Sequence, residues 1–151
     1  MCDMQLEQEG RSMKRSNIEE AKRWFDHATD EFKDACDLKD RGRFYLALFH
    51  FQQSSEKALK AYLYKITSSE EAYFTHSIYE LIEILGASDP DFKRIESASK
   101  LDKYYIPTRY PNGLPGGVPS RFFNDPKEAE EAMQLAKMVI ELVGEKLGFT
   151  V

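Results

Sequence analysis

The chain has 151 residues, 42% of them hydrophobic and 31% charged, with a formal net charge of -5. That length suits one domain with a sizeable core and is short for two. The acidic balance excludes bulk coating of nucleic acid or adhesion to an anionic membrane, so any anion-binding role must come from a local patch.

Two cysteines, Cys2 and Cys36, make no disulfide scaffold, and no pair of histidines accompanies them at zinc-ligand spacing. A reduced, cytoplasmic setting is expected, with no metal and no cofactor. The segment MCDMQLEQEGRSMKR lacks the apolar core of a secretory signal, and no apolar run is long enough to span a bilayer.

Residues 1–15 are polar and patternless and read as a flexible lead-in to a single domain over 16–151. Ser16 followed by Glu19 fits a capping box at the start of the first helix. Ile18, Ala21, Phe25, Ala28, Phe32, Ala35 and Leu38 then hold the helical period, with Trp24 and Cys36 at the edge of the stripe. Gly42 suits the left-handed turn that closes it. The short connection predicts antiparallel packing against a second helix over Tyr45–Ile66.

That second helix organises the chain. Leu48, Phe51, Ser55, Leu59, Tyr62 and Ile66 form one largely apolar stripe. Phe49, Gln52, Gln53, Glu56 and Lys60 form a polar stripe beside it, as expected of a central helix bordering a wet groove. Glu56 and Lys60 have the favourable order for a helical ion pair, worth a few tenths of a kcal/mol on a surface (roughly 0.2–0.5).

A polar link follows, then a short helix over 76–86 with Ile78, Leu81, Ile82 and Leu85 facing inward. Asp89-Pro90 reads as a cap with proline at the first helical position, opening a fourth helix to about residue 105. Five of the six prolines then lie between 107 and 126, so no helix continues through that stretch. Asp125-Pro126 caps a last helix whose stripe runs from Ala129 to Leu147. The expected fold is all-α: an antiparallel up-and-down bundle of four main helices plus one short helix, with a long Pro/Gly-rich loop before the last.

That loop is the first candidate site. From Lys103 to Asn124 there are three cations, Lys103, Arg109 and Arg121, and no acidic residue. Tyr105 and Tyr110 interleave with them. Tyrosine rings stack on bases and arginine forks grip phosphates, which suits a nucleotide or single-stranded RNA. A plainer reading has Tyr104, Tyr105, Tyr110, Phe122 and Phe123 plugging the end of the bundle. Gln53 and Glu56 are candidate supports from the second helix, since an amide can hydrogen-bond a base or a loop backbone. Of the three histidines, His27 is expected in solvent. His50 and His76 are the candidates for acid–base work, although the sequence brings neither to a scissile group.

The runs FHFQQSSEKALKAYL, THSIYELIEIL and LDKYYIPTRYP resemble the HEPN domain family (higher eukaryotes and prokaryotes nucleotide-binding) over about residues 16–147. The resemblance implies a helical bundle that commonly dimerises, so a homodimer or higher homo-oligomer is expected. It also implies proteins paired with a minimal nucleotidyltransferase in two-component, toxin–antitoxin-like systems. Many relatives are metal-independent ribonucleases dependent on an Arg-x(4–6)-His motif, whereas others bind nucleotides or act as scaffolds. Arg109 matches the motif arginine. Leu114, Pro115 and Gly116 stand where the histidine belongs, and no histidine follows Arg109. Without that imidazole the usual base and acid are missing, which favours binding of nucleotide or RNA over cleavage. The competing expectations are a ribonuclease toxin using Arg109 with a displaced histidine, His50 or His76, and a non-catalytic helical oligomerisation module.

Overall fold

The computed structural model describes the backbone of residues 2–66, 74–114 and 116–149, and side chains from residue 17 onward within those ranges. Among the described residues five α-helices run in order: α1 Cys2–Asp40, α2 Phe44–Ile66, α3 Ile78–Ser88, α4 Pro119–Phe122 and α5 Pro126–Leu147. A 3-10 helix, Pro90–Tyr104, stands between α3 and the loop, and a 3-10 turn, Pro111–Gly113, lies within it. No strand occurs among the described residues. The all-α bundle expected from the sequence is the fold observed.

Side-chain pairs give the directions. Glu31 meets Lys57 while Trp24 meets Tyr64, so α1 and α2 are antiparallel. Lys39 meets Glu130 while Phe25 meets Phe149, so α5 also opposes α1. Lys146 meets Asp91 while Lys100 meets Glu131, which sets the 3-10 helix against α5. The α1–α2 turn closes on Gly42, whose φ of +74° is a conformation a side chain would strain. Phe25, Phe51, Phe92, Leu48, Leu59, Leu81 and Leu101 fill the core between these elements. Each such side chain contributes about 1.5–3 kcal/mol by leaving water.

Several boundaries differ from expectation. Helical backbone runs through Ser16, so that residue starts no helix. The Gln, Glu, Met, Lys and Arg around it are good helix formers, and Ser-x-x-Glu is tolerated inside a helix as well as at its start. Ile18, placed on the inward stripe, is 65% exposed. The short helix is capped by Ser77, whose side chain accepts from the Glu80 N–H, and it passes through Gly86 to end at Ser88. The fourth element is 3-10 rather than α, with a kink at Ile95 (φ -107°, ψ 17°). Asp89 and Asp125 do cap their helices, each accepting from the backbone N–H two residues on. The polar link after Ile66 lies outside the described residues over 67–73.

The largest correction concerns α2. It is packed against α1, α5, α3, the 3-10 helix and α4. Its polar stripe is therefore largely covered: Gln52 is 0% exposed and Glu56 and Lys60 are each 3% exposed, whereas Phe49 and Gln53 are half-buried. Periodicity tells which residues share a face, but a neighbouring element decides whether that face is covered. Ser54 and Ser55 satisfy their buried hydroxyls on the Phe51 carbonyl, 3.0 and 2.9 Å away.

Candidate functional site

The segment after the 3-10 helix folds back on itself within a few residues. The Arg109 and Tyr110 N–H groups both donate to the Ile106 carbonyl, and the buried Thr108 hydroxyl donates to the Tyr104 carbonyl. Gly113 then passes so close to Pro107 that a Cβ on it would stand 3.1 Å from the proline Cα. The loop is thus a compact turn, and Arg109 projects from it as an exposed residue.

The Arg109 guanidinium lies 4.6 Å from the ring centroid of Tyr105, 4.7 Å from Phe49 and 5.2 Å from Tyr110. Its Nε donates to the Tyr105 carbonyl at 2.8 Å. Each cation–π contact adds about 0.5–1 kcal/mol at an exposed position. Together they hold a planar cation in one place, and its two terminal nitrogens make no hydrogen bond among the described residues. A fork held in this way suits two oxygens of a phosphate or carboxylate.

Tyr105 joins this platform to a second group. Its ring stacks on the His76 imidazole, with centroids 5.0 Å apart and 18° between planes. His76 Nδ1 lies 3.2 Å from Glu56 Oε1, and the other carboxylate oxygen of Glu56 accepts from Lys60 Nζ, also at 3.2 Å. Glu56 and Lys60 side chains are each only 4% exposed, whereas His76 is 54% exposed. A buried ion pair thus holds one nitrogen of a half-exposed imidazole, and Nε2 is the nitrogen left to meet a ligand. Gln52 Nε2 donates to the His76 carbonyl at 3.0 Å, and Gln53 Nε2 donates to Gln52 Oε1 at 2.8 Å.

Asp102, in the last turn of the 3-10 helix, sets the two backbones in register. Its carboxylate accepts from the Ile78 N–H at 2.8 Å, the Tyr79 N–H at 3.0 Å and the Ser77 hydroxyl at 3.1 Å. These are the donors that open the first turn of α3. His76 precedes that turn and Tyr105 follows Asp102 closely, so the capping contact and the ring stack fix one another.

Of the residues singled out from the sequence, Tyr105, Arg109, Tyr110, His76 and Glu56 come together here, with Gln53 joined through Gln52. Lys103 and Arg121 do not. Lys103 is exposed and lies over the Tyr104 ring, 5.1 Å from its centroid. Arg121 is exposed on α4 and contacts none of the Arg109 cluster among the described residues. The bundle-plug reading holds for part of the loop: Tyr104 and Phe123 are buried edge to face, while Phe122 is 60% exposed. Burial, with Glu128 beside it, pushes the Tyr104 hydroxyl well above its ordinary range.

His50 belongs to a different cluster, between α1 and α2. Its Nδ1 lies 2.9 Å from Glu31 Oε2, and Lys57 Nζ donates to Glu31 Oε1 at 2.5 Å. Burial alone would raise the Glu31 carboxyl, but hydrogen bonds and charge from His50 and Lys57 outweigh it and hold it below the ordinary value. His50 meets the Arg109 platform at Phe49, with ring centroids 5.1 Å apart.

Sequence reasoning placed Phe49 on the polar stripe without giving it a role, although one phenylalanine among amides and charges was a visible signal. Glu31 and Lys57 went unflagged because their pairing is tertiary and leaves no spacing within one helix. Among the described residues no cluster of metal-ligating side chains occurs, and no helix is long and apolar enough to cross a membrane.

The HEPN domain model matches residues 21–147 of the chain. Among solved structures, the chain is similar to TT1696 from Thermus thermophilus. That match has 34% identity and a TM-score of 0.71, and covers 84% of this chain and 98% of that one. It is also similar to ST0689, an archaeal HEPN homologue, at 27% identity and a TM-score of 0.66, covering 85% and 98%. No protein of curated function matches.

Proposed function

The chain belongs to the HEPN domain family, and from that premise we propose that it binds a nucleotide or RNA at the Arg109 platform. The observation that carries this reading is the Arg109 guanidinium seated among Tyr105, Phe49 and Tyr110, with its terminal nitrogens directed to no protein acceptor among the described residues. A phosphate takes the fork. A base stacks on Tyr110, which is 50% exposed, or on the exposed side of His76. Glu56 and Gln53 support the site from α2, and Lys103 and Arg121 add local positive charge along the same loop.

The protein works as a homo-oligomer with a nucleotidyltransferase partner, in a two-component, toxin–antitoxin-like system. Support for self-association comes from the apolar side chains left exposed around α3 and the loop, among them Phe74, Tyr79, Ile106 and Phe122. The pairing with a nucleotidyltransferase is supported by the resemblance of the Gln52–Ala61 and Tyr105–Pro111 runs. Co-expression with candidate nucleotidyltransferases, followed by co-purification, tests the partnership. Calorimetric titration with ATP and short RNA tests the binding.

One observation favours a second reading, a metal-independent ribonuclease with a displaced histidine. His76 and Arg109 both lie against the Tyr105 ring, and His76 is the more exposed imidazole, 54% against 33% for His50. In that reaction the ribose 2′-oxygen attacks phosphorus as His76 takes its proton, the P–O5′ bond breaks with the 5′-oxygen taking a proton from water to leave as a hydroxyl, and a 2′,3′-cyclic phosphate forms while Arg109 stabilises the charge. RNA cleavage in EDTA that disappears in both Arg109→Ala and His76→Ala supports this reading; no cleavage by the wild type removes it.

A further inference from the structure

His76 and His50 are held alike. His76 places Nδ1 3.2 Å from Glu56 Oε1, and the second oxygen of that carboxylate accepts from Lys60. His50 places Nδ1 2.9 Å from Glu31 Oε2, and the second oxygen there accepts from Lys57. The carboxylate side chains are sunk in the bundle, 4% and 10% exposed, whereas both rings reach the surface. Neither Nε2 makes a hydrogen bond among the described residues.

Both rings also stand one aromatic away from Arg109. Tyr105 separates His76 from the guanidinium, with contacts of 5.0 and 4.6 Å in series, and Phe49 separates His50 from it, with contacts of 5.1 and 4.7 Å. Neither imidazole centre is therefore farther than about 10 Å from that cation, about one screening length in moderate salt. Imidazole ordinarily changes charge between about pH 5 and 8, whereas a guanidinium stays charged throughout.

The charged groups around His76 are Glu56 and Lys60 of α2 and Arg109 across Tyr105. Glu80 of α3 and Asp102 of the 3-10 helix are bonded by its neighbours Thr75 and Ser77. His50 meets Glu31 of α1, with Lys57 behind that carboxylate, His27 accepting from Lys57, and Arg109 across Phe49. Glu31 is held below its ordinary value and stays ionised over the histidine range. Each Glu–Lys pair is neutral in sum, so a proton taken up by the ring adds one net positive charge beside Arg109.

We propose that His76 and His50 are proton-switched cations of the Arg109 site, so that its grip on a phosphate-bearing ligand tightens as pH falls from about 8 to about 5.5. This rests on the reading of Arg109 as an anion site and adds the regulation of that site. At the upper pH the guanidinium acts alone, and at the lower pH two further charges flank it.

Hexauridylate without terminal phosphates keeps one charge state over this range, so its affinity reports changes in the protein alone. Calorimetric titration of the full chain should show binding at least about threefold tighter at the lower pH. His76→Gln and His50→Gln, whose amide N–H can still meet the carboxylate, should each shrink that ratio, and the double variant should bring it close to unity. ATP, run in parallel, distinguishes a free nucleotide from RNA. Its own phosphate titrates in this range, so it is judged by the difference between wild type and double variant. A readout that needs no variant is proton uptake: near about pH 6.5 the wild-type binding heat should vary with buffer ionisation enthalpy as protons are taken up. Hexauridylate binding that Arg109→Ala weakens, but that is equal at the two pH values, takes up no protons or keeps its pH ratio in the double variant, overturns the switch and leaves the anion site standing. No binding of either ligand at both pH values, or binding untouched by Arg109→Ala, overturns both.

Discussion

The His76 imidazole lies stacked on the Tyr105 ring at 5.0 Å, and this contact couples the start of α3 to the loop that carries Arg109. On one side, His76 is held by a carboxylate buried inside the bundle. On the other, Tyr105 holds the guanidinium through its ring and its carbonyl. An exposed cation is thereby anchored to the core through one aromatic stack.

The anchor depends on the buried pair Glu56–Lys60. Removing one partner leaves an uncompensated charge in the core, so Glu56→Ala should lower unfolding stability by about 3–5 kcal/mol. Adding Lys60→Met to Glu56→Leu should recover much of the loss, because an apolar pair of similar volume avoids desolvation. Urea unfolding of the three chains measures both effects. Equal stability of Glu56→Ala and wild type would mean that the pair is solvated after all.

Asp102 should matter for both fold and site. Asp102→Ala removes the acceptor of three hydrogen bonds at the α3 terminus and should cost about 1–2 kcal/mol of stability. It should also weaken ligand binding at Arg109, since the stack of His76 on Tyr105 loses its brace. Unfolding and titration of the same variant check the two effects together.

Acid should act through Glu31. Its folded carboxyl is held below the ordinary value of 4.5, whereas the unfolded chain returns to that value. A depressed carboxyl stabilises the fold fully above its unfolded value, and the contribution is lost as pH falls through the folded value. Stability should therefore decline below about pH 4.5, and Glu31→Gln should flatten that part of the profile while lowering stability at neutral pH. Urea midpoints across acidic pH test this, and an unchanged acid slope in the variant would contradict it.

Much of the frame is readable from residues. Gly42, Asp89-Pro90 and Asp125-Pro126 mark turns and caps because their backbone needs are local, and the stripes of α2 and α5 follow from period alone. The basic, aromatic character of the loop is likewise plain from Lys103 to Asn124. What the sequence does not carry is contact across elements. Nothing in the order of residues says that Glu56 lies under His76, that Phe49 rather than Lys103 meets Arg109, or that Gln52 of the polar stripe is buried with its amide on the His76 carbonyl. The kinked 3-10 helix is also silent, because its apolar spacing at Phe92, Ile95, Ala98 and Leu101 suits either helix type. The expectation for Ile18 failed for a related reason: a stripe residue is buried only where a neighbouring helix reaches it.

The most direct test of the Arg109 site is calorimetric titration of wild type and Arg109→Ala with ATP and with a short single-stranded RNA. The wild type should bind at least one of them, and Arg109→Ala should lose about 1.5–3 kcal/mol of that affinity, the worth of a charge-assisted contact. No binding by the wild type, or equal binding by both proteins, would contradict the account.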